Sequence, residues 1–180
     1  MQFWTTVDPF SLQGLHVIKG PASTVFGSDA IGGTVNAITQ GPTTYGDGVN
    51  GGARALYRVA SAERSHIIRT EAQMTVDRTF GVHAGFTYKD FGELEGGHAI
   101  GRQEDTGYTE WDADIKMEYH LDDLTKLVFL YQQVQQDDVP RTHSTIFAKP
   151  FAGSTVGSDL KRDLNMDRRL IYLQLHSAQV

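Results

Sequence analysis

From about residue 52 onward, apolar and polar residues alternate with a period of two, the mark of strands with one face of each kind. In residues 111–121, Trp111, Ala113, Ile115, Met117, Tyr119 and Leu121 share one face; Asp112, Asp114, Lys116, Glu118 and His120 share the other. Residues 80–89 repeat the pattern, with Phe80, Val82, Ala84, Phe86 and Tyr88 opposite Gly81, His83, Gly85, Thr87 and Lys89. Residues 65–77 set Ile68, Ala72, Met74 and Val76 against Ile67, Arg69, Glu71 and Gln73. Residues 53–62, 125–136 and 167–176 are weaker versions, so about six strands are predicted. In residues 125–136, Val128 and Leu130 make the second face partly apolar as well.

The predicted connections alternate in length. Residues 62–64, 77–79 and 121–124 are short, whereas 91–109 and 137–165 are long and rich in Gly, Asp and Thr. Strand parity puts both long connections at one end of an antiparallel meander, with the 62–64 turn, and the other short turns at the opposite end. Strands near ten residues, short turns at one end and long loops at the other match a transmembrane β-barrel. A soluble antiparallel sheet with one wet face has the same alternation.

The first fifty residues read differently. Residues 15–19 predict a short strand broken by Gly20-Pro21, 22–26 a helical turn ended by Gly27, and 31–39 a second strand after Gly32-Gly33. A glycine-rich linker follows in residues 40–52.

Composition narrows the function classes. Sixteen Lys+Arg against 22 Asp+Glu leave a net charge of −6, which argues against nucleic acid as a partner. With no cysteine there is no disulfide framework, thiolate metal site or thiol nucleophile. The longest apolar run in the middle of the chain, residues 127–131, is far too short for a transmembrane helix, and the start has neither a basic nor an apolar leader region. Residues 46–51 fit G-x-G-x-x-G only literally, since no apolar strand precedes them and no helix follows. No H-E-x-x-H, G-x-S-x-G or P-loop pattern occurs, and no nucleophile–base set is apparent, so no enzyme, metal or cofactor is expected. The row of Asp112, Asp114 and Glu118 reads as a hydrated lumen face, and the charged loop around His98 (Glu93, Glu95, Arg102, Glu104, Asp105) as solvated. His143, beside Asp137, Asp138 and Arg141, reads as a polar loop residue.

Residues 16–39, HVIKGPASTVFGSDAIGGTVNAIT, closely resemble the end of the plug domain of TonB-dependent outer-membrane receptors: an apolar strand, a basic residue, Gly-Pro, small residues, an aromatic, Gly, then Ala-Ile-Gly-Gly-x-Val-Asn-x-Ile-Thr. The preceding Asp8-Pro9-Phe10 is plug-like too, and residues 136–143 look like barrel regions of that family. The motif positions are Lys19, Gly20, Pro21, Gly27, Gly32, Gly33 and Asn36; the family commonly has Arg where Lys19 stands. The resemblance implies a mainly β fold: a fragment of a plugged antiparallel transmembrane β-barrel, about six strands, preceded by the C-terminal part of a small α/β plug. Residues 1–41 would be plug, 42–51 linker and 52–180 the first strands of an incomplete barrel, since the family barrel has 22 strands. It also implies a bacterial (Gram-negative type) outer-membrane location, with membrane lipid and the TonB energy-coupling complex as partners. The implied activity is active uptake of a scarce small-molecule ligand of the ferric siderophore, haem or cobalamin type. A truncated, non-transporting remnant or binding module of that family is the alternative. Charged and aromatic residues of the long connections, His98, Arg102, Tyr108, Arg141 and His143, are the candidate ligand contacts. Residues 1–40 are expected to be loosely held.

Overall fold

The structure is a computed structural model that describes residues 6–21, 23–28, 30–98, 100–140, 145–148, 150, 152–153, 155–160 and 162–178. Among these the chain is mainly β, with β1 (Leu12–Lys19), α1 (Ser23–Phe26), β2 (Gly33–Thr39), β3 (Val49–Ala60), β4 (Ser65–Val76), β5 (Phe80–Phe91), β6 (Tyr108–His120), β7 (Thr125–Pro140) and β8 (Asp163–Ser177). β1 and β2 form an antiparallel pair by themselves, and β3 to β8 form an unclosed antiparallel sheet in chain order. The predicted strands are therefore present and the alternation of long and short connections holds. Residues 92–107 and 141–162 join strands at the same end as the β3–β4 turn.

The register keeps each alternating row intact. Tyr57, Ile68, Tyr88 and Trp111 lie across from one another on four strands, as do Val76, Phe80, Tyr119 and Leu127. Arg69, Thr87, Asp112 and Val134 line up on the opposite face. A one-residue slip would exchange these faces, and the period of two forbids it.

Burial is inverted relative to a water-soluble sheet. Among the described residues the buried apolar side chains are few: Ala30, Ile67, Val128, Leu130 and Val134. The buried polar or charged ones include Arg69, His83, Lys89, Glu110, Asp112, Asp114 and Glu118. Meanwhile Tyr57, Phe86, Met117, Tyr119, Ile171, Leu173 and Leu175 are exposed. The face of Asp112, Asp114 and Glu118 is thus not the hydrated surface the sequence predicts. It is covered by residues 6–11 and by the linker, and its charges are paired.

Element ends differ in places. β3 starts at Val49, four residues before the expected start, because Val49 and Asn50 already pair with Val76 and Thr75. β7 and β8 run further toward the long loop than predicted. A register shift between Gln136 and Val139 restores the pairing to Pro140–Asp163, and the Asn165 side chain accepts the Asp138 N–H at 2.7 Å. Asp138 takes a left-handed φ of 53° there, so the Asp-rich stretch that reads as loop is a bulge inside a strand. In the plug-like region, Gly20 and Gly27 adopt φ of 106° and 93°, which side-chain-bearing residues avoid, and they bound the turn that holds α1.

Candidate functional site

The inner face of β4–β6 carries a cluster built by strand geometry. β4 contributes Arg69 and Glu71, β5 Thr87 and Lys89, β6 Glu110, Asp112 and Asp114, each two residues from the next on its strand. Arg69 Nη1 lies 2.9 Å from Asp114 Oδ1, donates to Thr87 Oγ1 at 3.0 Å, and its Nε reaches Glu71 Oε2 at 2.8 Å. Arg54, at the rim, takes the other Glu71 oxygen at 2.8 Å. The guanidinium lies close against Gly85: a Cβ on that residue would stand 2.6 Å from Arg69 Cζ. Glycine at 85 is therefore the space that Arg69 occupies.

Lys89 is the second centre. Its ammonium lies 2.5 Å from Glu110, 2.8 Å from Asp112 and 3.0 Å from Asp8. Asp8 comes from the N-terminal segment. Its Oδ1 caps the 3₁₀ turn Pro9–Ser11 by accepting the Phe10 N–H at 3.2 Å; its Oδ2 accepts Thr87 Oγ1 at 2.7 Å and lies 3.5 Å from Arg69 Nη1. One carboxylate thus touches both buried cations, at 4% exposure. Ions removed from water this fully are tolerated only with close partners of opposite charge. His83 Nδ1 stands 3.6 Å from Asp114 at the edge of the cluster.

The linker makes a second attachment. Thr75 Oγ1 donates to Thr44 O at 2.5 Å, and Thr43 N and Oγ1 donate to Gln73 Oε1 at 3.1 and 3.2 Å. Tyr45 packs edge-on against His120 with centroids 5.1 Å apart. Pro42 and Tyr45 close over Gly81, where a Cβ would stand 2.7 Å from Pro42 Cγ. Burial, with the Glu118 carboxylate adding to it, pushes the Tyr45 phenol up to about 12. Between residue 11 and the linker, the β1–β2 hairpin leaves Leu15, Val17, Ile18 and Val35 exposed. Residues 8–11 thus contact the wall through Asp8, whereas the β1–β2 pair leaves much of its apolar surface exposed.

The sequence-derived contact candidates are only partly gathered. Arg102 pairs with Glu93 inside the 92–107 loop, an exposed pair, and bridges Glu95 through the backbone. Its hydrogen bond holds Glu93 below the usual carboxylate range. Tyr108 opens β6 and stacks on Phe91 with centroids 4.7 Å apart. His98 is exposed on the same loop. Arg141 and His143 lie outside the described residues. In the plug-like motif, Lys19 is exposed at the end of β1, Gly20 N–H donates to Gly32 O at 3.3 Å, Gly33 faces Lys19 across the pair, Asn36 faces His16, and Pro21 is exposed.

Asp8, Arg69 and Gly85 are the central residues that sequence reasoning passed over. The available signals were an arginine on the polar-bearing face of an alternating strand, between Ile67 and Glu71, and an Asp-Pro that caps a turn. Neither signal says what the carboxylate reaches across 61 residues. Among the described residues, no group of three His, Cys, Asp or Glu is placed to hold a metal ion, and no helix is long and apolar enough to cross a membrane. Among the described residues, the cluster is a network of paired buried charges. No protein-family model matches the chain, and no curated protein matches it.

Proposed function

We propose that this chain is plug and wall of a TonB-dependent outer-membrane receptor, which takes up a scarce ligand of the ferric siderophore, haem or cobalamin type using energy from the TonB complex. The observation that carries the reading is the inverted sheet: ion pairs buried on the covered face, and Ile171, Leu173 and Leu175 at 65%, 67% and 61% exposure on the other. In water, each such side chain forgoes roughly 1.5–3 kcal/mol of burial, and a row of them is a poor surface for a soluble protein. In lipid the same row is the stable one; the sheet satisfies the backbone polar groups between β3 and β8, and the outer edges of those two strands call for further strands to pair them. On β5 and β6 aromatic residues stand at both ends of the apolar stretch: Tyr88 and Trp111 lie eight residues from Phe80 and Tyr119 along their strands, about 27 Å at the strand rise, comparable to the length of a strand that crosses a bilayer. The segment held by Asp8 on the covered face suits a plug lying against its wall.

In that reading the ligand approaches from the end carrying residues 92–107 and 141–162, and His98, Arg102, Tyr108, Arg141 and His143 are its contacts. Two experiments test the proposal. The 180-residue chain, refolded with phosphatidylcholine vesicles, is expected to float with the lipid and resist alkaline extraction; a folded chain left in the aqueous phase overturns the membrane reading. In intact cells producing the protein, a tag in residues 92–107 is expected to react with an impermeant biotin reagent and one at Asp122-Asp123 is not. The reverse pattern overturns the assignment of the ligand side.

A further inference from the structure

The charge network on the covered face is short of positive charge at one end. Arg69 lies against Asp114 and Glu71, and Arg54 takes the second Glu71 oxygen. At the other end a single ammonium, that of Lys89, serves Asp8, Glu110 and Asp112 together. Asp8 joins the two ends through Arg69. Among the described residues these contacts link five carboxylates to three cations. Lys116 and Lys126, further along the face, lie 3.5 and 2.9 Å from Glu118 instead. His83 stands by Asp114 and Glu71. Carboxylates stripped of water in such excess call for a further partner.

The shortage falls at Asp112. Its side chain is 2% exposed, and among the described residues Lys89 is its one ion-pair partner. Its Oδ1 is buried and receives no hydrogen bond from the protein. Glu110, by contrast, accepts from Gln136 Nε2 at 2.6 Å, and Asp8 accepts from the Phe10 N–H and from Thr87 Oγ1. Beside Asp112 lies a cavity of about 10 Å³, lined by Asp8, Ser11, Asp112, Asp114, Gln132 and Arg168. That volume admits one guest the size of a water molecule. The cavity lies where the N-terminal segment meets β6, β7 and β8, and Arg168 Nη1 donates to Thr6 O there at 3.3 Å.

We propose that this cavity takes one monovalent alkali cation, sodium or potassium, which lies against Asp112 and ties residues 8–11 to the wall. A water molecule in the same place would donate hydrogen bonds but leave three carboxylates on one ammonium. Carboxylate, carboxamide and water-like oxygens are the donors that hard cations take. Asp112, Gln132 and Ser11 supply a carboxylate, a carboxamide and a hydroxyl. Among the described residues no three acidic or imidazole side chains converge as a multivalent metal site requires, so a singly charged ion is the one that fits. The proposal concerns the covered face alone and holds whether or not the opposite face meets lipid.

The test is amide exchange at Phe10 and Ser11, whose N–H groups both bond to Asp8. It is read in the folded full chain at one pH and one ionic strength. An ion bound only while the segment is docked raises protection by one plus its concentration over its dissociation constant. In sodium or potassium chloride, protection is expected to be about tenfold or more above that in tetramethylammonium chloride, whose cation screens equally and is too large for the cavity. Asp112→Asn is expected to abolish the difference between salts. Gln132→Leu, which keeps every charge and removes one oxygen, is expected to reduce it and stands in if Asp112→Asn does not fold. Equal protection in all three salts overturns the proposal, leaving water or a proton at Asp112. A salt difference that survives both substitutions places the ion elsewhere and overturns it as well.

Discussion

The two faces of the β3–β8 sheet are built from the same strands and differ in almost every other respect. On one face Arg69 and Lys89 are buried among Glu71, Glu110, Asp112, Asp114 and the inserted Asp8. On the other, apolar side chains of β3, β4, β5, β6 and β8 are exposed, with ring pairs such as Phe86–Trp111, 6.3 Å apart. The charged face depends on geometry, since each ion is stable only because a particular partner is within about 3 Å. The apolar face depends on its surroundings and tolerates exchange of one apolar group for another. Specificity of fold, and the docking of residues 6–11, therefore reside on the covered face, and affinity for the medium resides on the exposed one.

Substitutions can break this contrast. Lys89→Met is expected to have the largest effect, because it leaves Asp8, Glu110 and Asp112 without their shared cation; removing one partner of a buried ionic set costs about 3–5 kcal/mol. Urea titration of the vesicle-bound chain measures it, and a loss below about 1 kcal/mol would mean that water already reaches the cluster. Met117→Arg probes the other face. If this face meets lipid as proposed, it is expected to weaken insertion by about 2–4 kcal/mol at most, the cost of an arginine at the centre of a lipid face. Vesicle partitioning should fall, while Met117→Leu partitions like the unmodified chain.

Gly85→Ala comes next, at about 1–3 kcal/mol, because the methyl group takes the volume of the Arg69 guanidinium and overpacking forces a shift. Asp8→Asn keeps the turn cap and removes the charge. Amide exchange at Phe10 and Ser11 is expected to quicken by at least tenfold with the β4–β6 amides unchanged, which separates the docked segment from the wall that holds it. Equal quickening in both would show that the segment and the wall open as one unit. The smallest effect is expected at Tyr45. Its phenol is more easily kept neutral in the folded chain than in the unfolded one, so its contribution is intact below pH 10 and lost as pH rises toward about 12. Tyr45→Phe, measured by stability against pH, should remove that alkaline decline with little change at pH 7.

Much of this was legible in the residues. Alternation predicts the strands from Trp111 and Phe80 with the right faces, and loop lengths predict which turns share an end. The pattern failed at Asp137 and Asp138, because a bulge lets polar, turn-forming residues sit inside a strand that resumes at Val139. It failed for Asp112 and Asp114 in another way. Their position on the polar face was readable, but their burial under residues 6–11 was not, because a carboxylate reads as solvated unless a distant cation is known to meet it. Of the contact candidates, Arg102 and Tyr108 are engaged by Glu93 and Phe91, near neighbours in the loop and strand ends, while His98 stays exposed.

What the sequence determined by itself is local: a period of two, the glycines that turn the chain at residues 20 and 27, and the length of each connection. These follow from the geometry of a few adjacent residues. The tertiary structure decided which face is covered, that Asp8 spans Arg69 and Lys89, and that Gly85 leaves the space a guanidinium occupies. Those depend on register between strands and on contacts across tens of residues, where an ion's stability is set by its partner's position and not by its own neighbours along the chain.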